Sequence, residues 1–174
     1  QETINQYLDR FHAGFRITGT KSTYIGGAPS SVYQIVINDV PVDLGNADSP
    51  VSEPTFRNTL SAGDRSTLAL AFFLARLQRE ARLEQMTVIL DDPFTSLDSF
   101  RRSQTVSELI RMGLNSGQIV ILSHDSRFLY DIWRKAAPAD RKAIWLPRVG
   151  EDNTAIREWD IEKWVQDRYR QHID

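Results

Sequence analysis

The chain has 174 residues, of which 41% are hydrophobic and 25% charged, with a formal net charge of −2 and no cysteine. This composition is typical of one ordinary globular domain, and it excludes a disulfide framework and a thiolate metal site. No run approaches the ~20 apolar residues that span a bilayer, and no block of basic residues indicates a nucleic-acid surface.

The N-terminal end shows no apolar run behind a basic start, so we expect no signal peptide and no membrane partner. The first residue is Gln1, which fits a segment taken from a longer protein. The absence of cysteine is compatible with a reducing cytosol, and we expect a cytoplasmic protein.

The first third of the chain predicts one helix, two strands and a loop. Residues 1–12 carry Ile4, Leu8 and Phe11 at roughly helical spacing, which indicates a short amphipathic helix. The predicted strands are 15–18 and 32–37, with a turn at 26–29 between them. Residues 43–58 hold two prolines and many turn formers, and they predict a surface loop.

The remaining residues alternate between helices and strands. In chain order the predictions are helix 64–82, strand 86–90, helix 99–114, strand 119–122, helix 128–137, strands 143–146 and 154–159, and helix 161–172. Strands 86–90 and 119–122 are apolar without alternation, which is typical of a parallel sheet covered on both faces.

The residues LSAGD at 60–64 lie at the predicted start of a helix. Unpaired backbone N–H groups and the helix dipole favour an anion there, and small residues let a phosphate approach closely. The start of this helix, with Ser61, Gly63 and the negative charge of Asp64, is therefore a candidate anion-binding site. The alternative is that Ser61 only caps the helix.

Asp91 and Asp92 end an apolar strand, and Pro93 then forces the chain out of it. The carboxyl edge of a parallel sheet is where ligands bind in α/β folds, and Mg²⁺ requires hard oxygen ligands such as carboxylates. The alternative is a solvated acidic turn.

Two further candidates follow. Ser96, Leu97 and Asp98 precede helix 99–114, where Asp98 could be an ordinary N-cap. His124 follows strand 119–122, next to the strand that ends in Asp91, although a lone histidine at a strand end is often only structural.

Residues 14–22 nearly match the phosphate loop G-x-x-x-x-G-K-[ST], but Thr20 is one residue too many. Such a loop also needs a strand before it and a helix after it, whereas here a helix precedes and strand-like sequence follows. We therefore expect no phosphate loop in this chain.

In this order and spacing, the motifs resemble the C-terminal lobe of an ATP-binding-cassette (ABC) ATPase, with a signature loop, a Walker B strand, a D-loop and an H-loop. The resemblance covers roughly residues 1–130. It implies an α/β fold, in which a P-loop NTPase-like parallel sheet with flanking helices forms the C-terminal half of an ABC ATPase head. The Walker A loop of such a head is absent.

The resemblance implies Mg²⁺ and ATP as cofactors. Asp91 would be associated with Mg²⁺, and Asp92 occupies the position of the glutamate that polarises the attacking water. His124 would contact the γ-phosphate and that water. Asp92 departs from the family because an aspartate is one methylene shorter than a glutamate.

The resemblance also implies a homodimer formed through ATP. Ser61 and Gly63 would contact the γ-phosphate bound to the opposite protomer, and Asp98 would cross the interface. The family's usual LSGGQ differs from this sequence at Ala62 and Asp64.

The stretches INQYLDRF, NTLSAGDRSTLALAFFLA and ILDDPFTSLD are similar to coiled-coil ABC ATPases of the structural-maintenance-of-chromosomes and double-strand-break-repair type. Among these they resemble a bacterial subgroup that includes ATPases coupled to anticodon nucleases. Residues 1–12 would then be the root of a coiled-coil arm and residues 13–174 the C-terminal lobe, with the missing N-terminal Walker A lobe as partner.

The function implied is Mg-ATP hydrolysis that drives DNA repair or maintenance, or phage defence, with DNA or a nuclease effector as a further partner. The alternative is an ATP-dependent clamp, or a regulatory head for an attached nuclease, with little or no hydrolysis of its own.

Overall fold

The computed structural model describes residues 1–25, 28–42, 55–93 and 99–170. Its helices and strands, in chain order, are α1 (Glu2–Arg10), β1 (Phe15–Ile25), β2 (Ala28–Ile37), β3 (Val40–Val42), α2 (Phe56–Thr59), α3 (Ala62–Leu77), β4 (Thr87–Asp91), α4 (Ser99–Asn115), β5 (Gln118–Leu122), α5 (Ser126–Lys135), β6 (Ile144–Trp145), β7 (Arg157–Glu158) and α6 (Ile161–Arg170). Short 3-10 helices lie at Leu83–Gln85 and Pro138–Asp140. Within the described ranges, no helix is both long and apolar enough to cross a bilayer.

A parallel strand pair organises the part of the molecule that holds the candidate site. Strands β4 and β5 pair from Thr87 opposite Gln118 to Asp91 opposite Leu122, so both strands end at the same edge. Parallel neighbours need a crossover connection, and α4 lies in that connection. The architecture is therefore α/β with a parallel sheet and flanking helices, as the sequence predicts.

The other two sheets are antiparallel. Strands β1, β2 and β3 form one, and β6 pairs with β7 in the other. Residues 15–25 are thus a strand, which agrees with the rejection of a phosphate loop at 14–22. Predicted loop residues 43–54 lie outside the described part of the chain, whereas α2 and β3 are elements that the sequence patterns did not predict.

One apolar core joins α1, α3, α4 and α5 to strands β1 and β4. Its most deeply buried large side chains are Leu8, Phe11, Ile17, Leu74, Leu109 and Phe128. The residues that place α1 in this core, Ile4, Leu8 and Phe11, are those whose helical spacing predicted the helix. An arm rooted in residues 1–12, which remains a prediction, would therefore grow directly out of the core.

One face of the parallel sheet is uncovered. On β4, Val88 and Leu90 are buried, but Ile89 between them is 62% exposed, and Leu122 at the end of β5 is 41% exposed. The prediction that both faces are covered is therefore wrong at Ile89 and Leu122, whereas Val88 and Leu90 on the other face belong to the core. An apolar run without alternation still predicts a strand whose two faces both suit burial.

The end of α3 also differs from the prediction of helix 64–82. The helix begins at Ala62 because Ser61 is its N-cap, and it ends at Leu77 with Gln78 as its C-cap. Residues 78–82 contain no apolar side chain that the core could take up except Ala81, so nothing holds a further helical turn against the core.

A buried carboxylate ties α1 to α4. The side chain of Glu108 is only 5% exposed, and its Oε2 lies 3.4 Å from Nη1 of Arg10 while its Oε1 accepts a hydrogen bond from Arg111. A buried carboxylate without a partner is costly, so the two arginines hold Glu108 in place. Through Arg10, the first helix is thus attached to the helix that crosses between the parallel strands.

Gly117 is expected to tolerate no side chain. A Cβ atom there would lie 2.6 Å from the carbonyl oxygen of Glu84 and 3.2 Å from that of Met86, and backbone atoms cannot yield cheaply. We expect Gly117→Ala to lower the free energy of unfolding by about 1–3 kcal/mol, measured by urea unfolding of the chain. The matched control is Gly14→Ala, where nothing lies within 4 Å. It should be neutral or slightly stabilising, and equal losses in the two variants would contradict the prediction.

Candidate functional site

Asp92 and His124 meet at the edge where the two parallel strands end. Nδ1 of His124 lies 2.8 Å from Oδ2 of Asp92, and the backbone N–H of His124 donates to Oδ1 over 3.2 Å. The backbone N–H of Asp92 in turn donates to the carbonyl of Leu122 over 2.9 Å, which extends the strand pairing by one residue. The two candidate catalytic residues therefore form one hydrogen-bonded pair.

The charge state of Asp92 fixes the form of the imidazole. Hydrogen bonds from His124 first, and then from Ser123, hold the pKa of Asp92 below its usual range, so the carboxylate is ionised and can only accept. Nδ1 of His124 must then carry the proton, which leaves Nε2 as the outward nitrogen of a side chain that is 80% exposed. Such a pair can orient a water molecule and accept a hydrogen bond from it.

The backbone at Asp92 adopts a conformation that few residues tolerate. Its φ is 41°, in the left-handed region that aspartate and asparagine enter more readily than other residues with a side chain. This conformation turns the chain out of β4 while Asp91 still belongs to the strand. An aspartate therefore suits the local backbone, because a longer carboxylate side chain fits that conformation less well.

Ser123 is a site residue that the sequence analysis missed. Its Oγ donates to Oδ1 of Asp92 over 2.9 Å and accepts from the backbone N–H of Asp125 over 3.1 Å. Asp125 caps α5 and pairs with Arg102 at 3.1 Å. The only sequence signal was its position in the triplet Ser-His-Asp directly after β5, where a hydroxyl can reach the end of the neighbouring strand.

Asp91 is exposed and lies at the end of β4 opposite Leu122. Among the described residues, no three acidic, histidine or cysteine side chains come together as a complete metal cage. Mg²⁺ is commonly held by one or two carboxylates, with phosphate oxygens and water completing the shell. Within the described ranges, Asp91 is an exposed carboxylate that could serve as such a ligand at this edge of the sheet, whereas both oxygens of Asp92 accept hydrogen bonds.

Ser61 and Gly63 belong to a second constellation, at the start of α3. Ser61 is exposed and caps the helix by accepting the N–H of Asp64 over 3.1 Å, so the alternative capping role is present. Helix geometry leaves the N–H groups of Ala62 and Gly63 without an intrahelical acceptor, and these are the donors that an anion could use. Among the hydrogen bonds of the described residues, none joins this constellation to the Asp92–His124 pair.

Asp64 is held by both of its neighbours in space. Its carboxylate accepts hydrogen bonds from Ser61 and from Nη1 of Arg101, which lies 2.9 Å from Oδ1. Arg101 follows closely on Asp98 in the chain, but Asp98 itself, with the whole predicted D-loop Ser96–Asp98, lies outside the described residues. Arg101 is a second residue that the sequence analysis missed.

The contact between Ser123 and Asp92 predicts a measurable titration. Because the folded pKa of Asp92 lies below its unfolded value of about 3.9, this contact adds stability above that pH, and the contribution disappears as the pH falls through the folded pKa. We expect Ser123→Ala to raise the pKa of Asp92 and His124→Ala to raise it further, measured by carboxyl-carbon NMR across an acid titration. The control Ser126→Ala should leave it unchanged, and a similar rise in all three variants would refute the assignment.

Comparison with protein-family models matches residues 3–169 to AAA_13, described as an AAA domain. A curated relative is the DNA double-strand break repair Rad50 ATPase of Sulfolobus acidocaldarius, 34% identical over 73 residues. That alignment covers 41% of this chain and 8% of the relative, so the chain spans a small fraction of that protein.

Solved structures share the fold. The Smc head domain with a coiled coil and joint from Pyrococcus yayanosii superposes with a TM-score of 0.63 at 11% identity, over 98% of this chain and 28% of that one. A structure described for ATP-driven dimerisation and DNA-stimulated activation of SMC ATPases gives a TM-score of 0.62 at 12% identity, over 98% of this chain and 89% of that one. The chain therefore shares the fold of these SMC head domains.

Proposed function

Because the chain belongs to the AAA_13 family of AAA-domain proteins, we propose that it is the C-terminal nucleotide-binding lobe of an SMC- and Rad50-like ATPase. In this proposal it binds and hydrolyses Mg-ATP at the interface of a homodimer. Residues 1–12 are the root of a coiled-coil arm, and residues 13–174 are the lobe itself.

The pairing of Asp92 with His124 carries the proposal. An ionised carboxylate and an exposed imidazole lie 2.8 Å apart at the carboxyl edge of a parallel sheet, where α/β folds bind their ligands. Phosphoryl transfer needs positioning and charge neutralisation rather than covalent chemistry, and a pair that orients water suits that need. Asp91, beside the pair, is the residue we propose to hold Mg²⁺, which when bound would neutralise phosphate charge.

The uncovered sheet face supports the idea of a missing lobe. Ile89 and Leu122 present exposed apolar side chains on the side of the sheet opposite to Val88 and Leu90. A lobe that brings the Walker A loop and its helix to this sheet would bury them and would supply the phosphate cradle that this sequence lacks. Without that lobe we expect no turnover by the chain alone.

The start of α3 supports the dimer. Ser61 is exposed at a helix N-terminus whose first N–H groups have no intrahelical acceptor, and we propose that Ser61 and Gly63 close the ATP site of the opposite protomer. Asp98 is proposed to cross the same interface. ATP would then drive head closure, and closure would act on DNA in repair or maintenance, or on a nuclease effector in phage defence.

The second candidate function is an ATP-dependent clamp, and the lowered pKa of Asp92 is the observation that favours it. Because its pKa is lowered, Asp92 is a weak proton acceptor, and a site of this kind can bind ATP and dimerise with slow hydrolysis. The same slow site could serve as a regulatory head for an attached nuclease.

The test is a comparison of ATP binding, ATP-dependent association and Mg-ATP turnover in the intact protein that contains this chain. Binding, dimerisation on ATP addition and turnover together would support the hydrolysing head. Binding and dimerisation without turnover would support the clamp. A protein that contains both lobes and does not bind ATP would refute both.

A further inference from the structure

Asp64 places a carboxylate where the proposed signature loop would meet a phosphate, and two groups divide its oxygens between them. Oδ2 accepts from the hydroxyl of Ser61 over 2.7 Å and from its backbone N–H over 3.2 Å, whereas Oδ1 accepts from Nη1 of Arg101 over 2.9 Å. The Asp64 and Arg101 side chains are only 22% and 18% exposed, so solvent screens this pair incompletely.

The charge of Asp64 would oppose the proposed ligand if it stood alone. A carboxylate within one helical turn of Ser61 repels a phosphate and cancels part of the attraction of the helix N-terminus. The guanidinium of Arg101 makes the pair neutral overall. In electrostatic terms, Asp64 with Arg101 replaces the neutral glutamine side chain that the LSGGQ pattern carries at this place.

The division of oxygens leaves Ser61 able to change partner. Its hydroxyl now donates a hydrogen bond to Oδ2 of Asp64, so an arriving phosphate must replace Oδ2 as the acceptor of that hydrogen bond. Arg101 bonds the other oxygen and can stay where it is, keeping the carboxylate compensated after Ser61 has turned away. Without Arg101, the same rotation would leave a half-buried carboxylate unpaired beside an anion.

We propose that Arg101 is a positioning residue of the signature loop, which acts by neutralising Asp64 so that Ser61 can offer its hydroxyl to the phosphate of the opposite protomer. This role rests on the proposed function. The lowered pKa of Asp64 agrees with it, because burial alone would raise that pKa and the hydrogen bonds from Ser61 and Arg101 outweigh burial. Since Arg101 lies in the first turn of α4, the same contact joins the signature loop to the segment that follows Asp98.

A double-mutant cycle in the intact protein tests this role. Arg101→Gln is expected to weaken ATP-dependent dimerisation and to lower turnover at least about 10-fold, the loss that follows from one charge-assisted contact. Asp64→Gln should stay close to wild type, and the double variant should match Asp64→Gln, because the carboxylate that Arg101 is proposed to neutralise is then absent from position 64. Arg101→Lys should retain most of the activity. Arg76→Gln, at the far end of α3, is the matched control and should change nothing.

The outcomes separate this role from the proposed function. If wild type does not bind ATP, the proposed function fails and the role fails with it. Two results in a wild type that binds and hydrolyses ATP would overturn the role alone. One is that Arg101→Gln has no effect, and the other is that Arg101→Gln lowers turnover equally whether residue 64 is Asp or Gln. Thermal melting of all variants completes the test, since a purely structural Arg101 would lower the melting temperature without the charge-dependent rescue of turnover.

Discussion

Asp92→Asn is expected to lower Mg-ATP turnover of the intact protein by about 10²- to 10⁴-fold, the usual worth of a group that handles a proton or orients water. Asparagine suits the test because it tolerates the left-handed conformation that Asp92 adopts, so the backbone at the end of β4 should not change. What the variant removes is the negative charge that holds Nδ1 of His124. Turnover should fall while ATP binding and ATP-dependent dimerisation persist, and the dimer should become longer-lived.

The matched control for this variant is Asp167→Asn, which neutralises an exposed carboxylate on α6. It should leave turnover within a factor of two, about the spread of neutral surface changes. Full turnover in Asp92→Asn would show that another group positions the water, and His124→Gln would then be the variant to measure.

Ser61→Arg is expected to abolish ATP-dependent dimerisation and to lower turnover by about 10²- to 10³-fold, as the loss of preorganised donors to a phosphate does. The long side chain would occupy the space at the start of α3, beside the N–H groups of Ala62 and Gly63, where the partner's phosphate is proposed to lie. ATP binding by each protomer should persist, because Ser61 serves the opposite site. This loss of association distinguishes Ser61→Arg from Asp92→Asn, which should still dimerise.

Ser61→Arg also removes the helix cap, which by itself costs about 1 kcal/mol of stability. Ser61→Thr keeps a capping hydroxyl at the same position and should retain dimerisation, and Ser61→Ala separates the lost cap from the added bulk. Light scattering with and without ATP is the measurement. Dimerisation of Ser61→Arg at wild-type ATP concentrations would place the interface elsewhere.

The second half of the chain was the most predictable from sequence. The helix predicted at 99–114 is observed as α4, Ser99–Asn115, and the strand predicted at 119–122 is β5, Gln118–Leu122. Val106 and Leu109, three residues apart on α4, are both buried. Helical spacing and apolar runs are local signals, so they survive without knowledge of the rest of the fold. The meeting of Asp92 with His124 was predictable as well, because adjacent parallel strands end at one edge.

The contacts that shape the site were not predictable, because they join distant residues or depend on backbone conformation. Arg101 and Asp64 are 37 residues apart, and nothing in either local sequence pairs them. The positive φ of Asp92 comes from the way β4 leaves the sheet. The exposure of Ile89 could not be predicted from the apolar run. A strand suited to burial on both faces has the same sequence pattern whether one face or both are covered in the structure.

Two ion pairs connect α4 to other elements, and both are made by residues of the same rigid helix. Arg101 in its first turn holds Asp64, and Glu108, two turns further and about 10 Å along the axis, holds Arg10 of α1. If an arm continues from α1, tension on that arm and binding of a phosphate at the signature loop both act on α4. Thermodynamic linkage then requires the two effects to be equal in free energy. If a phosphate at Ser61 changes the preferred angle of the arm, the angle of the arm must change the affinity for that phosphate by the same amount. A force on the distant end of the arm would thus change the nucleotide affinity, with no other conformational change required.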